Sequence, residues 1–536
     1  MSDIPKRRWR SRAVRVLDAQ THPVRDKIKD ALVALSLANL CFGNAWHCLL
    51  DDATPGYYFK HAITASHLIA LTANIALFAL LFWCGALLVR RSSDWRVHFV
   101  GDIALCATLL VPFEFLRLHM VHRSYLLRLL PLLKHPWMIY IVIAVAFAAV
   151  LRWHRLTARL AKIIVAFCFP LAVVTLTKAG LMFLSVERAP LVEALPSAPP
   201  MFKPVPPRRV VWIIFDEMDQ RVAFRQRPPG LQLPELDRLR RESFAAINAY
   251  PPSFCTRISM PALITGRLVD DTRTAGRDEL ILSLANGQEI GWSRLPNVFS
   301  RARELGFNTA LVGWHHPYSR ILGAALNYSD WYPNPSFSRT RAPTFWGSMS
   351  LQIRSMFPIF LTDFVDLYRF GLESSRPLVA DPRYGLVLLH LFPPHAPAIY
   401  RRDTGQLTLC GTRQATGYLD NLALADRTLG ELRRAMEASG VWSNTWVLIS
   451  ADHWWREARR LDGKLDHRIP FILKPVGASA SQVYSSPFCT IITHDLLLAI
   501  LCGDIHDAQE LPSWMDQHKT APPADYTDQV EDDISL

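Results

Sequence analysis

Thr256, Asp452 and His453 are the residues of this chain whose types and settings most directly suggest chemistry. Thr256 stands just ahead of the run Ser259-x-x-x-Leu263-x-Thr265-Gly266-Arg267. Its hydroxyl is a candidate nucleophile once its proton can be removed or its pKa lowered. Asp452 and His453 follow the apolar stretch 445–450, so a carboxylate and an imidazole leave one strand end together. Adjacent on a turn, they can converge on one ion, and this oxygen and nitrogen pair suits zinc or manganese better than calcium or magnesium. A third piece, Asp216-Glu217, closes the continuous apolar run 209–215. Carboxylates at the carboxyl end of a central strand lie where open α/β sheets place their ligands. The set implies a divalent-metal enzyme that forms a covalent ester on Thr256.

The elements that must position these residues are legible as an alternation of strand and helix. Run 209–215 reads as a strand buried on both faces. A helix is expected over 234–243, followed by the Thr256 loop and the helix it feeds, whose N-terminal N–H groups would face an anion. The segments 296–305 and 308–312 read as helix then strand, delivering Trp314-His315-His316-Pro317. Strand 385–390 ends at His390 and leads into Leu391-Phe392-Pro393-Pro394-His395-Ala396-Pro397; helix 418–439 and strand 445–450 follow. Such alternation predicts an α/β domain with a largely parallel central sheet.

The order of acid pair, hydroxyl loop and late Asp-His resembles the alkaline phosphatase and sulfatase superfamily. Within it, the chain is most similar to membrane-anchored sulfatase-like transferases, the phosphoethanolamine transferases and lipoteichoic acid synthases. Registering Thr265-Gly266-Arg267 on the end of the sulfatase signature puts Thr256 at the nucleophile and Ser259 at the signature serine, with Cys255 one residue early. Formylglycine formation needs Cys or Ser followed by x-Pro-x-Arg, whereas Thr256 is followed by Arg257-Ile258-Ser259. The resemblance therefore implies a threonine attacking phosphorus. It ranks Glu217 first as metal ligand, since the single-metal transferases use one glutamate at this strand end, and Asp216 second, since sulfatases place two acids there. It also implies that the His395 loop corresponds to the transferases' His-x-Pro loop. His395 is then the candidate for protonating the leaving oxygen, imidazole being titratable in the working range. Arg257, His316, His390 and His467 are candidate substrate contacts, each competing with an ordinary structural role; for His467, a second-metal ligand is the further alternative. Trp314 and Trp454 depart from the family pattern, replacing the lysine and the glycine expected there.

At 536 residues the chain can hold a domain of about 300 residues and a further region. Apolar runs at 31–50, 61–89, 98–116, 136–151 and 160–184 each approach the roughly 20 residues that cross a bilayer. The first carries Asn39, Asn44 and His47 and the third Asp102 and Glu114, so either could be re-entrant. The expected organisation is a basic leader 1–30, about five membrane helices over 31–185, a proline-rich linker 186–208, a sulfatase-like domain 209–511 and a solvated polar tail 512–536. Lysine and arginine crowd the leader and alternate loops, which predicts a cytoplasmic leader and an extracytoplasmic domain, as in a multi-pass bacterial-type inner-membrane protein. The net charge of +12 owes much to that leader, which suits anionic lipid surfaces; no nucleic-acid module is expected. No CxxC occurs, and Cys255, Cys410, Cys489 and Cys502 leave disulfide pairing open.

The function expected is transfer of a phosphoryl-linked group from a membrane lipid donor to an envelope lipid or glycan acceptor, through a Thr256 ester. A membrane-tethered phosphodiesterase or phosphatase, a sulfate ester hydrolase, and a non-catalytic envelope protein keeping the fold are the alternatives.

Overall fold

The computed structural model describes residues 25–50, 58–120, 144–145, 147–188, 208–276, 278–335, 341–342, 344–356, 360–409, 415–477 and 481–527. The chain divides into two units, one comprising Met1–Asp52, Ala62–Leu191 and Ala342–Pro358, the other Ala53–His61, Val192–Arg341 and Ile359–Leu536.

Among the described residues of the first unit, three helices are long and apolar enough to cross a membrane, Ala65–Arg91, Trp95–Leu116 and His154–Val186. The pair Arg25–Cys41 and Gly43–Leu50, bent by 65°, adds a fourth crossing if it acts as one span. The run 136–151 lies largely outside the described residues. Polar side chains in apolar surroundings need partners, because an unsatisfied group there costs several kcal/mol. Asn74 Nδ2 accordingly donates to Gln352 Oε1 (2.9 Å), and Gln352 Nε2 to His67 O (3.0 Å). Gln352 belongs to the helix Phe345–Arg354 and stands 278 positions after Asn74. Asp102, one of the two acids of the third apolar run, accepts from His154 Nδ1 at 2.8 Å.

The second unit follows the α/β expectation. Its strands are β1 (Val210–Phe215), β2 (Phe244–Tyr250), β3 (Val269–Thr274), β4 (Leu280–Leu284), β5 (Glu289–Gly291), β6 (Asn308–Trp314), β7 (Tyr328–Tyr332), β8 (Tyr384–Leu391), β9 (Tyr400–Arg401), β10 (Gln406–Leu407), β11 (Trp446–Ser450), β12 (Ile469–Lys474), β13 (Gln482–Tyr484) and β14 (Phe488–Cys489). The main sheet runs β13-β2-β12-β11-β1-β8-β6-β7, with β14 also on β2. Only β12 is antiparallel to its neighbours; the other pairings are parallel. Strand β1 is central, with Ile214 opposite both Ser450 and His390.

The unbroken apolar run of β1 has a simple cause. Val210, Trp212 and Ile214 enter one core, and Val211, Ile213 and Phe215 the other. Alternation along a strand sends successive side chains to opposite faces, and here both faces are covered. Helices Thr256–Thr265 and Thr493–Cys502 supply one core, and Pro234–Arg241 and Ala415–Ala438 the other.

The expected solvated tail is corrected in part. Helix Leu511–His518 seats Leu511 and Met515 in the core, four residues apart on one helical face. A short helix, Ala524–Thr527, follows. The apolar spacing at Leu511, Trp514 and Met515 was the signal, overridden by the polar composition around it.

Candidate active site

Three adjacent strand ends assemble the centre. Asp216 follows β1, His390 lies near the end of β8, and Asp452-His453 follow β11. Parallel strands put their carboxyl ends on one edge, which is why residues far apart in sequence meet. Asp216, Asp452 and His453 are buried, and one ligand atom from each lies within 4.8 Å of the others. Thr256 opens the helix Thr256–Thr265, and its Oγ1 donates to Asp452 Oδ2 at 2.6 Å, with His453 Nε2 at 3.4 Å. His453 Nδ1 donates to the carbonyl of Trp454 at 2.9 Å, and its Nε2 faces Asp216 Oδ1 at 3.6 Å.

Asp216 tests whether a cation fits. Both of its carboxylate oxygens are buried with no hydrogen-bond partner among the described residues, and the same holds for His390 Nε2, 3.5 Å from Asp216 Oδ2. A buried carboxylate without partners is costly unless a cation compensates it. Two carboxylates, an imidazole and a hydroxyl supply oxygen and nitrogen donors fit for a divalent ion.

Glu217, ranked first by the resemblance, is placed differently. Its carboxylate accepts from Arg456 N (3.3 Å) and Nε (3.1 Å) and lies 3.8 Å from His395 Nε2, outside the converging group. Its backbone takes φ = +66°, rare for a side chain with a Cβ. Asp452 Oδ1 holds its N–H at 3.2 Å and Tyr418 Oη donates to its carbonyl at 2.9 Å. Such strain persists where surrounding contacts over-determine it, typically at functional sites. Burial pushes the Glu217 carboxyl up, but His395, His453 and Arg456 outweigh it and hold it below the ordinary range. Asp452 behaves alike, burial being outweighed by His453, His390 and the bonds from Thr256 and Glu217 N.

The remaining candidates separate. His395 is partly exposed beside Glu217 and Arg456, with Arg456 Nη2 at 3.4 Å from its Nε2. His390 pairs through Nδ1 with Tyr318 Oη at 3.0 Å. His316 is fully buried and reaches the backbone carbonyl of Thr256, not a substrate position, at 3.2 Å; burial pushes its pKa down to about 3. Arg257 is half-exposed and pairs loosely with Asp271 at 3.8 Å. His467 lies away from the converging group, its ring 4.4 Å from Trp454 and 5.3 Å from Tyr526. Those contacts account for Trp454, whose buried indole fills the slot between His467 and Tyr526. Trp314 likewise packs against His395 and Phe392.

Two glycines are required by geometry. Gly266 caps its helix at φ = +67°, and an added Cβ would lie 2.8 Å from His494. In β6, a Cβ on Gly313 would lie 2.6 Å from the Tyr318 ring that supports His390. Arg456, Tyr318 and Tyr58 went unnoticed in the sequence. Arg456 stands four positions after Asp452, whereas nothing local marks Tyr58. Cys255, Cys489 and Cys502 form no disulfide; Cys410 lies outside the described residues.

Residues 208–488 match the family model described as Sulfatase. No curated protein shows significant sequence similarity to the chain. Among solved structures, it is similar to the phosphonate monoester hydrolase of Agrobacterium radiobacter, at 13% identity and TM-score 0.40, over 55% of this chain and 74% of that one. It is similar to the lipoteichoic acid synthase LtaP of Listeria monocytogenes, at 12% identity and TM-score 0.36, over 55% and 72%. The complex of Ps i-CgsB with k-i-k-neocarrahexaose gives 14% identity and TM-score 0.43, over 58% and 77%. The family model spans more than half of the 536 residues, from just before β1 to the start of β14 and with every residue of the metal-fitting cluster inside it; the chain belongs to the sulfatase family.

Proposed function

We propose that the protein is a membrane-bound transferase that moves a phosphoryl-linked group from a lipid donor to an envelope acceptor through a covalent ester on Thr256. The observation carrying this reading is the Thr256 hydroxyl, 2.6 Å from Asp452 Oδ2 beside the partnerless oxygens of Asp216. A secondary alcohol in that position attacks as an alkoxide and cannot become the formylglycine of a sulfate ester hydrolase. Asp216, Asp452, His453 and Thr256 would hold the divalent ion, zinc or manganese by donor type, with His390 close by. When bound, such an ion lowers the pKa of a coordinated hydroxyl and offsets charge developing on phosphorus-bound oxygens.

The protein's own groups complete the sequence. Asp452 Oδ2 is placed to take the Thr256 proton, the oxygen attacks phosphorus, and the bond to the leaving alcohol breaks. His395, on the exposed side of the site, can deliver a proton to that alcohol, while Arg456 lies beside it as a cation for the remaining phosphoryl oxygens. An acceptor hydroxyl, giving its proton to the now neutral His395, then attacks the phosphothreonine; the bond from phosphorus to Thr256 Oγ1 breaks and Asp452 returns the proton to that oxygen.

The extracytoplasmic placement draws support from the chain's path. Tyr58 precedes the helix Ala65–Arg91 yet belongs to the catalytic unit. Residue 58 and the domain after 192 therefore share one side of the membrane, which requires an even number of crossings between them. Three long apolar helices lie among the described residues of that stretch, so a further crossing is called for, and run 136–151 is the sequence candidate. With the bent pair before it, the total is five, and a cytoplasmic leader puts the domain outside.

Peptide mass spectrometry of the purified full chain after brief exposure to phospholipid vesicles tests the reading. A phosphoryl-linked adduct on Thr256 is expected. Adduct on Cys255, or turnover of phosphodiesters by Thr256→Ala at the wild-type rate, overturns it.

A further inference from the structure

Tyr58 lies 258 positions before His316, yet its hydroxyl is 2.9 Å from His316 Nδ1. The segment around it is built into the catalytic unit. Tyr58 is fully buried, the Phe59 ring lies 4.9 Å from His315, and the His61 ring lies 4.4 Å from Trp331. The carbonyls of Phe59 and Lys60 accept from Asn334 N and from the Arg320 guanidinium. Four consecutive residues thus make specific contacts with the unit that carries the site.

The proton positions follow from the partners. His316 Nε2 lies 3.2 Å from the carbonyl oxygen of Thr256. A carbonyl only accepts, so Nε2 carries the hydrogen. With the ring neutral, Nδ1 is a lone pair, and the Tyr58 O–H must be the donor. The order is Tyr58 O–H to His316 Nδ1, then His316 Nε2–H to Thr256 O.

We propose that Tyr58 is a positioning residue for the nucleophile: by fixing the tautomer and ring plane of His316, it holds the first turn of the helix at Thr256 and with it the direction of the attacking hydroxyl. This rests on Thr256 being the nucleophile. It follows that residues 58–61 are part of the catalytic site, and that the domain after residue 192 is incomplete without them. Orienting partners behind a reacting group matter because angular error in a fixed nucleophile costs rate, not binding.

The test is a double-mutant cycle on the full chain in detergent, following both turnover of bis(4-nitrophenyl) phosphate and the rate of adduct formation on Thr256 from phospholipid vesicles. Tyr58→Phe keeps the ring and loses the donor; it is expected to lower the rate about tenfold with KM, metal content and thermal midpoint nearly unchanged. His316→Gln presents an amide N–H near the Nε2 position without needing the tyrosine, so adding Tyr58→Phe to it should cost nothing further. Tyr58→Phe at the wild-type rate, or an equal loss in both backgrounds, overturns the proposal. Thr256→Ala separates it from the functional reading. If Thr256→Ala is inactive and Tyr58→Phe is unaffected, only the positioning role fails; if Thr256→Ala is active, the nucleophile assignment fails and takes this role with it.

Discussion

Asp216 Oδ2 and His390 Nε2 face each other at 3.5 Å, and neither atom has a hydrogen-bond partner among the described residues. Two complementary groups left apart by more than a hydrogen-bond length, at full burial, leave a place for a third. Asp216→Asn is therefore expected to lower metal affinity by more than the roughly 10- to 100-fold that outer-shell partners cost. Glu217→Gln should fall within or below that range, since its carboxylate is engaged by Arg456. Metal content by elemental analysis after dialysis against a chelator checks the pair, and the reverse ranking would restore Glu217 as a ligand.

Glu217 also neutralises Arg456 and sits 3.8 Å from His395. Glu217→Gln should thus slow turnover by about tenfold while retaining most of the metal, a loss of ~1.4 kcal/mol in transition-state stabilisation. Removing the Arg456 charge as well, in a Glu217→Gln, Arg456→Gln double variant, should be far from additive, because the two side chains act as one pair. Additive losses in kcat/KM would mean that they serve separate roles.

At the nucleophile, Thr256→Ala should reduce turnover by roughly three orders of magnitude or more, whereas Thr256→Ser keeps a hydroxyl in the same register and should retain measurable activity. Cys255→Ser should stay active, since Cys255 forms no disulfide and its position is one short of the nucleophile register. Steady-state assays on the three variants, with metal content measured alongside, decide the matter. A dead Cys255→Ser beside an active Thr256→Ala would move the chemistry by one residue.

How far the sequence reached depended on whether a signal was local. The β1 run ending in Asp216 and the β11 run ending in Asp452-His453 announce a strand and the residues that gather at its end together, because burial on both faces writes an unbroken apolar stretch. Thr256 was legible through its register to Thr265-Gly266-Arg267, and Gly266 has the left-handed backbone that such a helix end needs. The choice between Asp216 and Glu217 was not legible, because the backbone at Glu217 turns to φ = +66° and sends adjacent side chains to different partners. Nor were Tyr58 and Gln352, whose partners are set by long-range packing. A tyrosine between two apolar runs carries no mark of the histidine it meets, and polar residues of one helix satisfying those of another leave no periodicity behind.

Reporter fusions on either side of the apolar helices check the topology. Reporters active only outside the cytoplasm should work when fused after residue 60 and after residue 536, and reporters active only inside should work after residue 92 and after residue 152. Activity of the outside reporter at 60 together with the cytoplasmic reporter at 536 would break the even count between Tyr58 and the domain, and with it the five-span arrangement.

Asp426, which is not one of the metal-fitting residues, gives a pH signature of its own. It is buried, its Oδ1 accepts from Leu236 N at 2.8 Å, and burial, with Glu235 and Asp237 nearby, pushes its pKa from 3.8 to about 7 despite that bond. A folded-state pKa above the unfolded value means the native protein binds the extra proton. Its contribution to stability is complete below about pH 4 and is lost as pH rises through about 7. Asp426→Asn keeps an oxygen for Leu236 N and cannot ionise. The variant should match wild type near pH 4 and exceed it at pH 8, by at most ~4 kcal/mol for a shift of about three units. Thermal midpoints of both proteins in detergent across that range measure the difference directly. Parallel curves for variant and wild type would mean that Asp426 is ionised in the folded state throughout and that Leu236 N, not burial, governs it.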